Sequence, residues 1–325
     1  MDKIMTVNHT SMAEFVLLGI FHSSDMQAWL FIVFLFIYLF ILTGNMLVFV
    51  ATVLNHALHT PMYFFLRHLS LLDICYTSVT LPQMLVHLIS ERKTISFLGC
   101  AVQMFFFMFL GTTVCYLLAI MAYDRYLAIC HPLRYVRFMT RRACLLLISG
   151  CWVTGLSISI VQTSLIFSFP FCGSDVINHF FCDVPPMVRL HCSNPYTNYL
   201  ERILIVFLVL ITPLVFILLT YVLIIAAILK MNVADGRKKA LGTCSSHLFS
   251  VVLFYGTAVF TYVRPSLVFP DPTDKLLCLT YTVAPAVLNP TVVRPIIYSL
   301  RNKEVKNAFV RLGEESFCVM KQMAT

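Results

Sequence analysis

MAYDRYLAIC, residues 121–130, is the stretch of sequence that decides the fold. It places an adjacent acid and base, Asp124 and Arg125, after a segment, residues 100–121, that contains no charged side chain. Charges at the end of a membrane helix are costly to bury and usually serve a function or meet a partner. The simpler alternative is that Arg125 only reaches the lipid headgroups. The sequence on either side of this stretch has to distinguish the two.

The composition is that of a membrane protein. Of the 325 residues, 59% are hydrophobic and only 12% are charged, which is far too apolar for an ordinary soluble fold. Because the backbone must satisfy its own hydrogen bonds in lipid, we predict an all-α membrane protein, a seven-transmembrane helix bundle at residues 29–299. An N-terminal segment, 1–28, precedes it, and a tail, 300–325, with a short amphipathic helix follows. The spans are predicted at residues 29–53, 61–88, 99–126, 144–167, 200–229, 240–263 and 274–299.

Basic residues predict the orientation of the bundle. Thirteen of the 23 Lys and Arg residues lie in the loops after spans three and five and in the tail, and seven lie on the opposite side. Since basic loops stay in the cytosol, we predict an extracellular N-terminus and a cytosolic C-terminus. The net charge of +8 follows from this bias, so the predicted partner is membrane lipid and not nucleic acid.

The N-terminal segment carries a candidate modification site. Residues 1–28 contain no uninterrupted apolar core, so we expect no cleavable signal peptide and assign the insertion signal to the first span. Residues 8–10, Asn-His-Thr, form a glycosylation sequon. Its predicted extracellular position favours glycosylation of Asn8.

Twelve cysteines raise the question of a metal or redox site. Most lie singly inside apolar spans, where a small packing side chain is the simpler role. Four lie on the predicted extracellular side, and four cysteines allow three pairings, among which the residues alone do not choose. They are Cys100, Cys172, Cys182 and Cys192. His179 close to Cys182 could bind a soft metal, but a disulfide would remove the thiolate, so we predict no metal site.

Longer strings carry a family resemblance. MAYDRYLAICHPLRY, residues 121–135, resembles the end of the third helix of olfactory receptors, a branch of the rhodopsin-like (class A) G-protein-coupled receptors. The likeness covers residues 14–309, with its pieces in the order that the family shows. They include LHTPMYFFLRHLSLLDICYTSVTLPQML at 58–85, KALGTCSSHL at 239–248 and PIIYSLRNKEV at 295–305.

The resemblance implies pairings and roles for particular residues. It implies the disulfides Cys100–Cys182 and Cys172–Cys192. It implies a buried polar cluster in which Asp73 lies beside Asn45 and Asn289 on neighbouring helices. Residues of this cluster and of the cytosolic ends of the spans rearrange on activation in the family. The implied activation and G-protein coupling residues are Asp73, Asp124, Arg125, Tyr126, Tyr221, Asn289 and Tyr298.

The ligand pocket is expected among the outer halves of the spans. Helical spacing places Met104, Phe107, Met108, Gly111 and Thr112 on one face of span three. The resemblance adds Ile205 and Val209 from span five and Tyr255, Ala258 and Tyr262 from span six. Each of these side chains could instead serve only helix packing. A mostly apolar lining with a few hydroxyls suits a small, weakly polar organic molecule. Position 107 carries no acid, which disfavours cationic amines.

The function that the resemblance implies is that of an odorant receptor. It would activate a stimulatory, olfactory-type heterotrimeric G protein to raise cAMP, from the plasma membrane of olfactory cilia and without a cofactor. A non-olfactory or signalling-impaired chemosensory receptor is one alternative. A transporter or channel is another, although the two halves show no repeat. The chain lacks His-Glu-x-x-His, Gly-x-Ser-x-Gly and phosphate-loop motifs, so we predict no enzyme.

Two departures from the family pattern stand out. Val114 occupies a position where many olfactory receptors carry Glu, which removes one acid near Asp73. In span seven, five residues, 291–295, separate Asn289-Pro290 from the Ile-Ile-Tyr triplet that ordinarily follows directly. They correspond to about 1.4 turns of α-helix. This insertion is expected to disturb signalling more than the overall fold.

Overall fold

The computed structural model describes residues 14–19, 24–55, 58–90, 92–171, 175–191, 195–231, 234–263, 275, 278–280 and 282–283. Nearly all of this part of the chain is helical. The helices are α1 (Ser24–Leu54), α2 (Pro61–Ile89), α3 (Phe97–Cys130), α4 (Pro132–Phe138), α5 (Arg141–Ser168), α6 (Val184–Val188), α7 (Pro195–Val206), α8 (Thr212–Leu229) and α9 (Ala234–Val263). A π-helical turn, Phe207–Ile211, joins α7 to α8. The strands are β1 (Glu14–Leu17), β2 (Thr94–Ser96) and β3 (Val176–Ile177).

Six predicted spans are confirmed within a few residues. Among the described residues, six helical stretches are long and apolar enough to cross a membrane. They are Met26–Leu54, Pro61–Ile89, Phe97–Cys130, Arg141–Ser168, Leu200–Leu229 and Ala240–Tyr262. The predicted seventh span, 274–299, lies outside the described residues except for residues 275, 278–280 and 282–283.

Local sequence fixes where two of the central helices begin. The Ser96 hydroxyl accepts a hydrogen bond from the backbone N–H of Gly99 at 3.1 Å and caps α3. The Thr140 hydroxyl likewise accepts from the backbone N–H of Ala143 at 3.2 Å and caps α5. Each cap satisfies a backbone donor that the first turn of a helix leaves without an intrahelical partner.

Helix α3 is the centre of the bundle and packs against α2, α5 and α8. Its approach to α5 is close because Gly155 faces it. A Cβ at Gly155 would lie 2.3 Å from the Thr113 hydroxyl and 2.9 Å from the Phe109 carbonyl oxygen, so a side chain there would force the helices apart. One turn further along α5, the Ser159 hydroxyl donates to the carbonyl oxygen of Phe105 in α3 at 2.6 Å.

The outer faces of the helices carry large apolar side chains. Trp29 is 72% exposed and Phe36 is 71% exposed on α1. Similar residues line the outward faces of α5 and α8, among them Val153 and Val222. Such an apolar surface is costly in water and suits contact with lipid.

A small sheet covers one end of the bundle, and the sequence did not predict it. Strand β1 pairs antiparallel with β2 and parallel with β3. Alternate side chains of β1, Phe15 and Leu17, are buried in the same apolar cluster as Cys100 and Cys182. Residues 14–17 were expected only to belong to an N-terminal segment. We call this end of the bundle the disulfide end and the opposite end the Arg125 end.

Candidate functional site

The disulfide between Cys100 and Cys182 confirms one of the two predicted pairings. It joins the first turn of α3 to the segment before α6, with the two Cα atoms 5.5 Å apart. Because Cys182 is in the disulfide, it has no thiolate to bind a metal. The His179 ring stacks on Phe180 with centroids 4.5 Å apart, and its Nδ1 accepts a hydrogen bond from the backbone N–H of Phe181 at 3.4 Å. Burial, with a smaller effect of nearby Lys275, lowers the pKa of His179 to about 3, so the ring is neutral at physiological pH.

Asp183 follows the disulfide and is fixed by two helices. Its side chain is 1% exposed. The Tyr262 hydroxyl, near the end of α9, donates to its two carboxylate oxygens at 2.9 and 3.0 Å. The backbone N–H of Val184 donates to Oδ1 at 2.7 Å and begins α6. The carboxylate therefore ties the disulfide-bonded loop to α9.

A cavity of about 60 Å³ lies below this loop, among α2, α3, α5, the π-helical turn and α9. Eight of the ten residues predicted for the pocket line it. They are Phe107, Met108, Gly111, Thr112, Ile205, Val209, Ala258 and Tyr262. The other lining residues are Tyr76, Cys115, Gln162, Val184, Arg202, Val206, Leu210 and Phe254.

Two predicted pocket residues, Met104 and Tyr255, lie outside the lining. Met104 is fully buried closer to the disulfide end, in the apolar cluster beneath the sheet. Tyr255 lies behind the cavity wall, because its buried hydroxyl donates to the carbonyl oxygen of Cys115, a lining residue, at 2.8 Å. Tyr255 can thus act on the cavity through Cys115 without touching what fills it.

The π-helical turn shapes the side of the cavity formed by span five. Pro213 has no backbone N–H, so regular α-helical bonding cannot continue through it. The Thr212 hydroxyl donates to the carbonyl oxygen of Phe207 at 2.9 Å, and the Tyr116 hydroxyl donates to that of Leu208 at 3.1 Å. The turn places Val209 in the cavity wall. Isolated π-turns in long helices frequently occur at functional sites.

At the Arg125 end, Asp124 is held by Tyr135, a residue for which no role was predicted. Asp124 is buried, and its Oδ1 accepts a hydrogen bond from the Tyr135 hydroxyl of α4 at 2.8 Å. Burial and the neighbouring carboxylate raise the pKa of the Tyr135 phenol well above its ordinary value, so it keeps its proton and donates. Next to them, the Tyr126 hydroxyl lies 3.1 Å from Nε2 of His131. These contacts fix α4 against the end of α3.

A second contact at this end joins span five to span six. The Tyr221 hydroxyl lies 2.8 Å from Nδ1 of His247, and the two rings are nearly parallel, with 8° between their planes. Both side chains are buried. The Arg125 guanidinium is within electrostatic range of both rings. His247, for which no role was predicted, thus lies with Tyr221 in the field of Arg125.

Comparisons with known proteins agree with this architecture. A family model described as olfactory receptor matches residues 34–315. The chain is 48% identical to human olfactory receptor 10A7 over 304 residues, which cover 94% of this chain and 95% of the relative. It is 48% identical to human olfactory receptor 10C1 over 94% of this chain and 97% of that one. It is 44% identical to mouse olfactory receptor 5G9 over 94% and 95%.

The chain belongs to the olfactory receptor family. It is therefore a multi-pass membrane protein with the seven-helix bundle of a G-protein-coupled receptor, and not an enzyme. The family membership supports an odorant-sensing receptor that couples to a G protein.

The predicted polar cluster of the receptor is described only in part. Asn45 and Asp73 are both buried, on α1 and α2. The Asn45 amide donates to the carbonyl oxygen of Ile41 at 3.1 Å, whereas its Oδ1 has no partner among the described residues. Several predicted positions lie outside the described residues, and their roles stay predictions. These are Asn8, Cys172, Cys192, Asn289, Tyr298 and residues 291–295.

Proposed function

We propose that the receptor binds small, weakly polar organic odorants in the cavity and activates a stimulatory, olfactory-type G protein, which raises cAMP. The observation that carries the proposal is the cavity itself, with its largely apolar lining and few polar side chains. Sites for small organic ligands typically combine such an apolar lining with a few polar groups that fix orientation. Among the described residues that line it there is no Asp or Glu, which disfavours cationic amines.

The cavity and the Arg125 end share two helical spans, which provides a route for coupling. Span five contributes Val209 to the cavity and Tyr221 to the Arg125 end, and span six contributes Ala258 and His247. A ligand that packs between the two spans at one end acts on the same pair of helices that Tyr221 and His247 join at the other. A ligand shifts the equilibrium between two packings by its difference in affinity for them.

We propose that the disulfide end is extracellular and the Arg125 end cytosolic. The excess of Lys and Arg in the loops and tail on the Arg125 side supports this orientation. So does the disulfide, since such bonds form in oxidising compartments. We further propose that Asn8 is glycosylated and that the receptor operates in the ciliary membrane of olfactory neurons.

Helix α4 offers an apolar surface for the G protein. Leu133 is 98% exposed and Val136 is 78% exposed, directly beside the Tyr135–Asp124 contact. Exposed apolar side chains of this size are costly in water and are typical of a surface that binds a partner. A G protein that binds here would meet a helix whose position depends on Asp124.

The test is ligand-evoked cAMP in cells that express the receptor with its matching G protein, stimulated with a chemically broad odorant panel. Arg125→Ala is expected to abolish the response at normal surface expression. Arg92→Ala is the matched control, because Arg92 is exposed at the disulfide end and should retain the response. A normal response of Arg125→Ala would refute its role in coupling. Ligand-evoked current or uptake in cells without the G protein would instead favour the channel or transporter.

A further inference from the structure

Two polar side chains in the cavity wall each carry an oxygen that has no hydrogen-bond partner among the described residues. Thr112 of α3 and Gln162 of α5 both line the cavity, and each is only 2% exposed. Neither Thr112 Oγ1 nor Gln162 Oε1 has a hydrogen-bond partner among the described residues. The neighbouring Thr113 behaves differently, since its hydroxyl donates to the carbonyl oxygen of Phe109 at 2.7 Å. Thr113 therefore provides a matched threonine in the same helix whose hydroxyl is satisfied.

A buried polar atom without a partner destabilises a fold, and most such atoms in proteins do have partners. A carboxamide in the middle of an apolar span is particularly costly, because lipid offers no alternative partner. Val or Leu could fill the same space without this cost. The presence of two such groups at one cavity indicates that a molecule in the cavity provides their partners.

We infer that the preferred ligands carry a hydroxyl group, as alcohols or phenols, that hydrogen-bonds both Thr112 and Gln162. The inference rests on the proposed function, because it takes the cavity to be the odorant site. Gln162 Oε1 can only accept, so the ligand must donate to it, while the Thr112 hydroxyl can donate back to the ligand oxygen. A single hydroxyl group satisfies both demands. Rotation of the carboxamide exchanges its donor and acceptor, and a hydroxyl suits either arrangement.

Other odorant classes leave part of this pair unsatisfied. An aldehyde, ketone, ester or ether oxygen only accepts, so Gln162 Oε1 stays without a donor. A hydrocarbon satisfies neither group. A carboxylate offers only acceptors, so Gln162 Oε1 again stays without a donor. A site built to hydrogen-bond a hydroxyl discriminates strongly against an analogue that lacks the hydrogen, because the protein groups then remain buried and unpaired.

The test compares ligands that share a six-carbon chain or a benzyl framework and differ in the oxygen function, the methyl ethers carrying one further carbon. Hexanol, hexanal and hexyl methyl ether form one set, and benzyl alcohol, benzaldehyde and benzyl methyl ether form another. The first measurement is the ligand-induced rise in the unfolding temperature of the solubilised receptor, which requires no G protein. The second is the concentration that gives a half-maximal cAMP response. The alcohol of at least one set is expected to bind roughly ten-fold more tightly than its methyl ether.

The variants Thr112→Val and Gln162→Leu, with Thr113→Val as control, test whether these side chains cause the preference. Without ligand, the first two should unfold at the wild-type temperature or above it, because each removes an unpartnered polar group. Both should lose most of the preference for alcohol over ether, whereas Thr113→Val should keep it. A water molecule that satisfies the two side chains would instead make alcohols and ethers equal.

The outcomes separate this inference from the proposed function. Stabilisation by alcohols without a cAMP response would support the hydroxyl site and count against the signalling. A cAMP response to ethers and aldehydes at the same concentrations as to alcohols would support the signalling and overturn the hydroxyl site. The absence of stabilisation by every alcohol tested would also overturn it, as would an unchanged preference in both Thr112→Val and Gln162→Leu.

Discussion

Replacement of Tyr262 by Phe removes a single hydroxyl from the contact that closes the cavity at the disulfide end. That hydroxyl donates to both carboxylate oxygens of Asp183, at 2.9 and 3.0 Å. Asp183 is 1% exposed, so water cannot easily replace the lost donor. Hydrogen bonds to charged groups contribute about 1.5–3 kcal/mol to stability. We expect Tyr262→Phe to lower the free energy of unfolding by this amount and the unfolding temperature by a few degrees.

The control is Tyr255→Phe. Tyr255 also lies in α9, and its buried hydroxyl donates to an uncharged acceptor. Its bond to the Cys115 carbonyl oxygen is 2.8 Å long. A neutral hydrogen bond contributes only about 1 kcal/mol, so the control should lose less stability than Tyr262→Phe. Thermal unfolding of the solubilised receptor measures both.

A double-mutant cycle with Asp183→Ala isolates the contact itself. Once the carboxylate is absent, Tyr262→Phe should have little further effect on the unfolding temperature. An unfolding temperature of Tyr262→Phe equal to that of the wild type would contradict the prediction. A loss of stability on Tyr262→Phe that is the same with and without Asp183 would also contradict it, since the hydroxyl would then act elsewhere.

The remaining predictions concern the disulfide, the Arg125 end and the N-terminus. Cys100→Ser and Cys182→Ser should each reduce surface expression strongly, because such a bond contributes a few kcal/mol to stability. The double variant should be no worse than either single variant, and additive losses on flow cytometry would contradict the pairing. Tyr135→Phe removes the 2.8 Å bond to Asp124 and should raise basal cAMP per surface receptor about ten-fold; unchanged basal cAMP would show that this bond does not hold the resting state. Asn8→Gln should abolish the glycosidase-induced shift in gel mobility, and a persistent shift would place the glycan elsewhere.

The spans were predictable because each depends on its own sequence. Apolar runs of bilayer length fixed six of them within a few residues, and Ser96 and Thr140 mark two helix starts. The α3 side of the cavity was predictable for a similar reason, since helical spacing alone brings Phe107 and Thr112 to one face. The Cys100–Cys182 pairing came from family resemblance, because the residues themselves allow three pairings.

What the sequence missed depends on contacts between distant segments. Met104 shares a helix face with the cavity residues, yet the sheet packs over it at the disulfide end. That sheet joins strands that are far apart in the chain, and no local sequence pattern predicts such pairing. Gln162 carried a usable signal, as a lone carboxamide within an apolar span, but its role required knowing that α5 meets the cavity. The only local sequence features that point to the π-helical turn are Thr212 and Pro213, which follow it.

The central position of β1 also constrains the order in which the molecule assembles. Val16 pairs with Val176, and four membrane helices lie between them in sequence. Chains are synthesised from the N-terminus, so β1 waits without its β3 partner while those helices are made and inserted. Cys100 likewise waits for its partner Cys182, which follows β3, although fewer helices lie between the two cysteines. The pairing of β1 with β3 and the oxidation of Cys100 are therefore late steps of biogenesis, whereas β1 can pair with β2 once the first two helices are made. A defect in either late step leaves the helices inserted while the sheet and the disulfide-bonded loop stay incomplete.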